Sequence, residues 1–333
     1  MAAKVLIVRF SSLGDVVLAT SAAQLLKEQE GVEVIFATKR GFAPLLRGQS
    51  CIDEVWALED FGLLGLAREA RRRGITDVLD LHGNLRSRLL GWMAGAPVTR
   101  WQAGTLNRRL RVKAKSYSVA ELEPVCDRYA RAAAAVLGIE AKRFLPKLSV
   151  EPTAELWAKQ WLQANGYQGG PLLAVAPGAA WASKRWDVEQ LAEALNALPS
   201  VKVLLVGSAA EEGLCRDIEA KLKVPALVAA GKTPDLRHLL ALIAESKAFL
   251  GHDSGPMHLA EALGIPSTVL FGPTVEEFAF FPQGPGHQIF QVDLDCRPCS
   301  VHGTQRCPLG HHHCMKMILP ANVAQHLAQV LKV

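Results

Sequence analysis

Residues 5–37, VLIVRFSSLGDVVLATSAAQLLKEQEGVEVIFA, decide the fold of this chain. The apolar run Val5–Val8 predicts a buried strand, and the spacing of apolar residues predicts a helix over about Val16–Glu30. A second apolar run, Val32–Ala37, predicts the next strand. Because both strands are continuously apolar rather than alternating, we expect them to be covered on both faces, as in a parallel sheet. The stretch therefore predicts a strand–helix–strand unit in which Phe10–Asp15 forms the first turn.

The same alternation of apolar strands and amphipathic helices continues to the end of the chain. Residues 139–150 carry no clear period and contain Pro146, so we expect the linker between two domains there. Two successive series of this kind predict two doubly wound α/β domains, whose ligands bind at the carboxyl ends of the strands. Further strands are predicted at 53–58, 76–81, 172–176, 201–206, 226–228, 248–251 and 267–271, and further helices at 124–137, 152–165, 188–198, 211–222, 235–244, 256–263 and 321–331.

The composition excludes several classes of protein. The chain is 50% hydrophobic and 21% charged, which excludes wholesale disorder. No apolar stretch approaches the roughly 18 residues of a membrane span. The first residues resemble a strand rather than a signal peptide. Together with an odd number of cysteines, seven, this predicts reduced thiols and a cytoplasmic protein.

Basic residues are concentrated in the first half of the chain. Residues 1–150 hold 23 Lys and Arg against 15 Asp and Glu, a net charge of +8, whereas the remainder hold 14 against 17, a net charge of −3. This asymmetry indicates either solvated helix faces or a contact with an anionic partner. The densest basic run is Arg108, Arg109, Arg111, Lys113 and Lys115.

The turn after the first strand is the first candidate site. The chain has neither G-x-x-x-x-G-K-[ST] nor G-x-G-x-x-G after a strand, so the usual nucleotide-loop motifs are excluded. Gly14 permits a tight turn, and the helix that follows offers free N–H groups to an anion. Asp15 is either a helix cap or a catalytic acid. Its position at the carboxyl end of the first strand favours catalysis.

Two further loops follow strands in the second half. In Ala176–Trp186, the neighbouring Lys184 and Arg185 have the charge and donors that a diphosphate requires. In Gly251–His258, a strand ends and a helix begins with small residues, which predicts a cradle of amide groups for phosphate. A histidine in a helix is usually a packing residue, but His258 lies at this helix start and is predicted to contact the ligand.

These motifs resemble glycosyltransferase family 9, the ADP-heptose:lipopolysaccharide heptosyltransferases. The resemblance rests on Ser-Leu-Gly-Asp, Pro-Gly-Ala…Lys-Arg-Trp, His-Asp-Ser-Gly-Pro-x-His and Phe-Gly-Pro-Thr, in this order along nearly the whole chain. It implies the GT-B architecture, an α/β fold of two Rossmann-like domains facing a central cleft. The implied domains are an acceptor-binding domain at 1–150, a sugar-nucleotide-binding domain at 151–318, and a last helix within 319–333 that packs back on the first domain.

The resemblance also implies an activity, the inverting transfer of L-glycero-D-manno-heptose from ADP-heptose to the inner core of lipopolysaccharide, without a metal or other cofactor. It places the catalytic base on Asp15. Ala179 and Ala180 stand where relatives often have hydroxyl residues, so Ser183 or backbone amides are expected to replace those contacts. The expected donor-binding residues are Ser183, Lys184, Asp253, Ser254, Gly255 and His258, and the expected acceptor-binding residues are Ser12, Gly14, Arg108, Arg109 and Arg111.

The implied partners are an ADP-sugar, the anionic lipid A–core glycolipid and, transiently, the inner face of the cytoplasmic membrane, with no nucleic acid. Glu211 or Glu212, which follow a strand, are candidates for a ribose or sugar hydroxyl. The triplet Asp293-Leu294-Asp295 is interpreted as a chance D-x-D.

A cysteine cluster near the carboxyl end leaves two interpretations open. Its spacing, Cys296-x2-Cys299-x7-Cys307-x6-Cys314, begins like a zinc knuckle but lacks the second close pair. The four thiols are therefore either metal ligands or reduced structural thiols. The tail is similar to that of type II heptosyltransferases.

Two alternative functions compete with heptose transfer. One is another GT-B enzyme that uses a UDP- or GDP-sugar, as a transferase or an epimerase. The other is a two-domain protein that binds an anionic ligand without catalysis.

Overall fold

The computed structural model describes residues 3–101, 104–114 and 123–333. The chain forms two compact units. Unit 1 comprises the described residues of Met1–Ala103 and Glu123–Ser149, and unit 2 comprises those of Gly104–Leu122 and Val150–Val333. Within these described ranges, every helix is too short or too polar to cross a membrane.

Unit 1 is built on a parallel sheet of five strands in the order β3-β2-β1-β4-β5. The central strand, β1, pairs through Val8 with Ala37 on one side and with Asp80 on the other. The strands are β1 Lys4–Val8, β2 Glu33–Thr38, β3 Glu54–Ala57, β4 Asp77–Asp80 and β5 Val98–Arg100. The helices are α1 Leu13–Leu18, α2 Thr20–Lys27, α3 Ala43–Leu46, α4 Leu58–Arg73, α5 Leu85–Ala94 and α7 Val125–Leu137, while α6, Thr105–Ala114, belongs to unit 2.

Unit 2 is built on a parallel sheet of six strands in the order β11-β10-β9-β6-β7-β8. Read from β8, this is the 3-2-1-4-5-6 order of a dinucleotide-binding sheet. The strands are β6 Leu172–Val175, β7 Lys202–Leu205, β8 Leu227–Val228, β9 Ala248–His252, β10 Ser267–Phe271 and β11 Gln288–Gln291. The helices that follow α7 are α8 Pro152–Ala164, α9 Val188–Asn196, α10 Glu212–Glu219, α11 Leu236–Ala244, α12 Gly255–Ala262, α13 His313–Lys316 and α14 Pro320–Leu331.

The α/β fold class with two Rossmann-like sheets is confirmed. The central strands are buried on both faces, which is why their sequences are continuously apolar. The strands β5 and β11 were missed because both are short, partly exposed strands at a sheet edge, without a long apolar run.

The first helix differs from its prediction over 16–30, because the structure has two helices, Leu13–Leu18 and Thr20–Lys27, that meet at Ala19. The hydroxyls of Thr20 and Ser21 donate hydrogen bonds of 2.7 Å to the carbonyls of Val17 and Leu18. Such bonds from side chains compete with the regular backbone ladder of a helix. The interruption therefore has a local cause.

Two segments belong to a different unit from the one expected. The last helix, α14, buries Val323, Leu327 and Leu331 in the core of unit 2, beside Leu191. This corrects the expectation that the last helix packs on the N-terminal domain. Helix α6, expected in the N-terminal domain at 1–150, also belongs to unit 2.

Candidate active site

Asp15 lies in the first turn of α1, directly after β1. Its Oδ2 atom accepts hydrogen bonds from the backbone N–H of Ser12 at 3.1 Å and from the Ser12 hydroxyl at 2.6 Å. Gly14 is buried beside it. The local sequence thus forms a cap, as one interpretation of Asp15 predicted, and Ser12 is occupied in holding the carboxylate.

The second oxygen of Asp15 is held by Arg9, a residue that the sequence interpretation missed. Arg9 Nη2 lies 2.6 Å from Asp15 Oδ1, with side chains that are 9% and 15% exposed. Burial by itself would raise the pKa of Asp15, but the charge of Arg9 and the bonds from Ser12 outweigh it and hold the pKa below its usual value. The carboxylate is therefore ionised at neutral pH. In the sequence, the feature that could have identified Arg9 is its position as a charged residue at the end of an apolar strand.

Arg9 is itself fixed by its surroundings. Its Nη1 atom donates to the carbonyl of Leu81, and its guanidinium lies 5.9 Å from the ring centres of both Trp101 and Tyr129. Burial by itself would lower the pKa of Arg9. The electrostatic effects of Tyr129 and Asp15 outweigh burial, so the pKa of Arg9 lies above its usual value. Arg9 is therefore a buried cation, held at the carboxyl end of β1, that pairs with Asp15.

In unit 2, Lys184 and Asp253 form a poorly exposed charged pair, as Arg9 and Asp15 do in unit 1. Lys184 Nζ lies 2.5 Å from Asp253 Oδ2, with side chains that are 11% and 14% exposed, and it also donates to the Asp253 carbonyl at 3.2 Å. The Thr274 hydroxyl, in the loop after β10, donates to the same Oδ2 atom at 2.8 Å. Burial would raise the pKa of Asp253, but Lys184 and Thr274 outweigh it and lower this pKa.

Helix α12 begins directly beyond Asp253. Ser254 is its N-cap in extended conformation, Gly255 is the first helical residue and Pro256 occupies the first turn. The N–H groups of a first helical turn lack partners within the helix, and the helix dipole favours an anion there. The structure therefore brings a lysine ammonium to a helix N-terminus, which is a suitable arrangement for a phosphate group.

His258, one turn into α12, is buried and lies against Glu261. Its Nδ1 atom is 3.3 Å from Glu261 Oε2, and Glu261 Oε1 accepts a 2.7 Å hydrogen bond from the backbone N–H of Gln283. The carboxylate thus orients the imidazole ring. His258 is therefore buried, as expected of a histidine in a helix. It also lies in the first turns of α12, the helix start that was predicted to form a cradle for phosphate.

Ser183 has a different set of contacts from the one expected of a phosphate ligand. Its hydroxyl accepts a 2.8 Å hydrogen bond from the N–H of Thr304, and its carbonyl lies 2.7 Å from His312 Nε2. The neighbouring Arg185 donates through Nε and Nη2 to the carbonyl of Ala179 at 3.0 and 2.7 Å. Ser183 and Arg185 therefore shape the loop that carries Lys184.

Glu211 lies at the same edge of the sheet, after β7. Its Oε2 atom accepts 2.8 Å hydrogen bonds from the N–H and the hydroxyl of Ser208. A Cβ atom added at Gly178, after β6, would overlap the Glu211 carboxylate. A side chain at Gly178 would therefore require the Glu211 carboxylate to move.

The segment that contains the last four cysteines, residues 296–314, packs against the turn after β10. The buried Arg297 donates to the carbonyls of Gly272, Phe271 and Thr274, the last at 2.8 Å, and so holds the turn that positions Thr274. Burial raises the pKa of the Cys314 thiol to about 11, so it is protonated at neutral pH. Within the described residues, which include Cys296, Cys299, Cys307 and Cys314, no group of three or more His, Cys, Asp or Glu is placed to hold a metal ion.

The basic run does not form the exposed basic face that we expected. Arg108 and Arg111 of α6 are buried, and the Arg108 guanidinium lies 5.1 Å from the ring centre of Phe280. Only Arg109 and Lys113 are exposed, and Lys115 lies outside the described residues. Since α6 belongs to unit 2, this corrects the expectation that the run shares a domain with Asp15.

Comparison with known proteins identifies relatives of this chain by sequence and by fold. The chain is 36% identical over 172 residues to lipooligosaccharide heptosyltransferase 2 of Campylobacter jejuni, a match that covers 49% of this chain and 52% of that protein. The chain thus spans about half the length of this curated relative.

Two solved structures share the fold over nearly their whole length. A family 9 glycosyltransferase from Veillonella parvula has a TM-score of 0.82 at 18% identity, covering 99% of this chain and 98% of that one. The ADP-heptose heptosyltransferase II of E. coli has a TM-score of 0.77 at 23% identity, with the same coverage. The fold is therefore GT-B, and because residues 63–309 match the family model, the chain belongs to glycosyltransferase family 9 (heptosyltransferase).

Proposed function

We propose that this protein transfers L-glycero-D-manno-heptose from ADP-heptose to the inner core of lipopolysaccharide, with inversion at the anomeric carbon. The observation that carries the proposal is the placement of Lys184 beside Asp253, directly before the N-terminus of α12. An ammonium group has three N–H donors, and two of them reach Asp253. The third can serve an oxygen of the donor diphosphate.

In this proposal unit 2 binds the donor. As the bond from the anomeric carbon to the diphosphate breaks, negative charge develops on ADP, and Lys184 and the amides at Ser254 and Gly255 stabilise it. Glu211, held by Ser208 at the sheet edge, is assigned to the hydroxyls of the nucleotide ribose. His258, oriented by Glu261, is assigned to a polar contact with the donor.

Asp15 is assigned to the acceptor hydroxyl in a single displacement. Inversion requires one base that accepts the hydroxyl proton while the new glycosidic bond forms. The Arg9 pairing keeps the Asp15 carboxylate ionised and therefore able to accept that proton. An alcohol becomes strongly acidic only as the new bond forms, so a weak but correctly placed base suffices.

The remaining parts of the proposal concern the acceptor, the location and the cofactors. The acceptor is assigned as a lipid A–core glycolipid at the inner face of the cytoplasmic membrane, where an enzyme from the cytoplasm reaches it. No metal is assigned to the reaction, since Lys184 and the α12 N-terminus supply the positive potential that a divalent ion otherwise provides. Residues such as Arg109 remain candidates for acceptor contacts.

The proposal is tested with the purified full-length chain, ADP-heptose and a heptose-deficient core acceptor. We expect the acceptor mass to increase by one heptose and ADP to be released, with and without EDTA. UDP- and GDP-sugars are tested as alternative donors, both in transfer assays and in thermal-shift assays. A thermal shift or transfer with a UDP- or GDP-sugar but none with ADP-heptose would refute the donor assignment.

A further inference from the structure

Helix α5 of unit 1 has apolar residues on its outward side. Leu85, Leu89 and Trp92 are 84%, 43% and 77% exposed, and their spacing of four and three residues places them on one face. Single exposed apolar residues are ordinary on protein surfaces, but a continuous stripe on one helix indicates a binding surface. The opposite side of helix α5 is buried in the protein. Its buried side is formed by Ser87, Leu90, Gly91 and Ala94.

Two arginines flank this stripe, one on each side. At about 100° per residue, Arg88 lies next to Trp92 on one edge and Arg86 lies beyond Leu89 on the other. Both arginines are exposed, and neither has an ion-pair partner within the part of the chain that the structure describes. By contrast, the exposed Arg72 of the same unit is paired with the carboxylate of Glu69. The α5 face therefore has an uncompensated positive charge.

We propose that the outward face of α5, formed by Leu85, Arg86, Arg88, Leu89 and Trp92, docks on an anionic lipid surface. Apolar side chains enter the boundary between headgroups and acyl chains, and tryptophan favours that boundary because its ring is apolar and its N–H is polar. Arginines on both edges reach the lipid phosphates while their stems stay in apolar contact. A helix with an apolar stripe between two cationic edges matches this surface.

A second copy of this chain fits the face less well. A symmetric contact of α5 with α5 would bring Arg86 and Arg88 of both copies together. The helix sequence, LRSRLLGWMA, contains no acidic residue that could pair with them. The charge pattern therefore favours an anionic lipid over self-association.

The position of α5 connects this surface with the candidate base. The helix begins at Asn84, whose side chain accepts a 2.9 Å hydrogen bond from Ser87 N–H and fixes the first turn. It follows β4, which is hydrogen-bonded to β1, and Asp15 lies just beyond the carboxyl end of β1. The α5 N-terminus and Asp15 thus start from the same edge of the unit 1 sheet. This inference rests on the proposed function only in identifying the lipid-borne molecule as the acceptor.

The test measures vesicle binding by the full chain, without donor or acceptor. We expect the wild type to sediment with phosphatidylglycerol-containing vesicles and only weakly with pure phosphatidylcholine. In the double variants Leu85→Ser/Trp92→Ser and Arg86→Ser/Arg88→Ser, the partition coefficient should fall by about tenfold or more. The control is Leu156→Ser/Lys223→Ser, which changes an exposed leucine and an exposed lysine of unit 2 and should bind like the wild type.

Several outcomes would overturn the inference. Wild-type binding by both α5 variants would do so, as would a wild type that ignores anionic vesicles. A dimer in gel filtration that Leu85→Ser/Trp92→Ser dissociates would show that the face binds a second copy instead. Melting curves check that the variants are folded, and the arginine variant, which removes no apolar contact, serves if the other is unstable.

A separate assay distinguishes this inference from the proposed function. Transfer to a water-soluble, deacylated acceptor should be equal in the wild type and the α5 variants, because that acceptor needs no membrane contact. If vesicle binding behaves as expected but no heptose is transferred, the docking surface stands and the proposed function fails. If heptose is transferred but the chain does not bind vesicles, the proposed function stands and the docking surface fails.

Discussion

The pairing of Arg9 with Asp15 allows the proposed catalytic role of Asp15 to be separated from its structural role. At 2.6 Å the two charges attract by about 6 kcal/mol at an effective dielectric constant of about 20, before the cost of desolvation is subtracted. Removing one partner from such a poorly exposed pair costs about 3–5 kcal/mol, because the other charge remains buried without compensation. We therefore expect Asp15→Asn to lower the melting temperature of unit 1 by about 10 °C.

The same variant should lower kcat by about 10²–10⁴, the usual contribution of a general base. The double variant Arg9→Gln/Asp15→Asn removes the uncompensated charge, so we expect it to regain most of the lost stability. It should not regain turnover. The assays are thermal unfolding and release of ADP from ADP-heptose with the core acceptor at saturating concentrations. If the double variant recovers turnover together with stability, Asp15 supports the fold and is not the base.

Three further predictions concern unit 2. Lys184→Ala should weaken ADP binding at least about tenfold but leave adenosine binding unchanged in calorimetry, because the proposed contact of the lost charge is with phosphate; equal weakening of both would place Lys184 outside the phosphate site. Gly178→Ala should weaken ADP binding because its Cβ displaces Glu211, whereas Gly213→Ala in α10, with open space around its Cα, should bind ADP like the wild type, and identical affinities of the two variants would contradict the assignment of Glu211. Burial lowers the pKa of His252 to about 4, against about 6.5 in an unfolded chain, so the unfolded state takes up the proton first and stability falls as the pH drops from about 6.5 toward about 4. Urea unfolding should lose about 2 kcal/mol from this group between pH 7 and pH 5, a loss that His252→Gln should abolish; an equal loss in the variant would assign it to other groups.

The amino-acid sequence by itself determined the α/β class, most strands of both sheets and the loops that carry the candidate site. These features depend on residues close together in the chain. A strand covered on both faces requires an apolar run, as in Val5–Val8, and a helix start requires small or polar residues, as in Ser254 and Gly255. Such local requirements are visible in a single sequence.

Only the tertiary structure decided which charges meet and which unit each segment joins. Lys184 and Asp253 are 69 residues apart, and no period or local motif records their contact. In the sequence, Arg9 is a single charge after an apolar strand. Only the structure shows that its guanidinium pairs with Asp15. The basic run at Arg108 and Arg111 gave no sign that it would be buried in unit 2, because burial of a charge depends on packing partners elsewhere in the chain. Contacts between distant residues follow from the packing of whole elements, so the sequence pattern near each residue contains too little information to predict them.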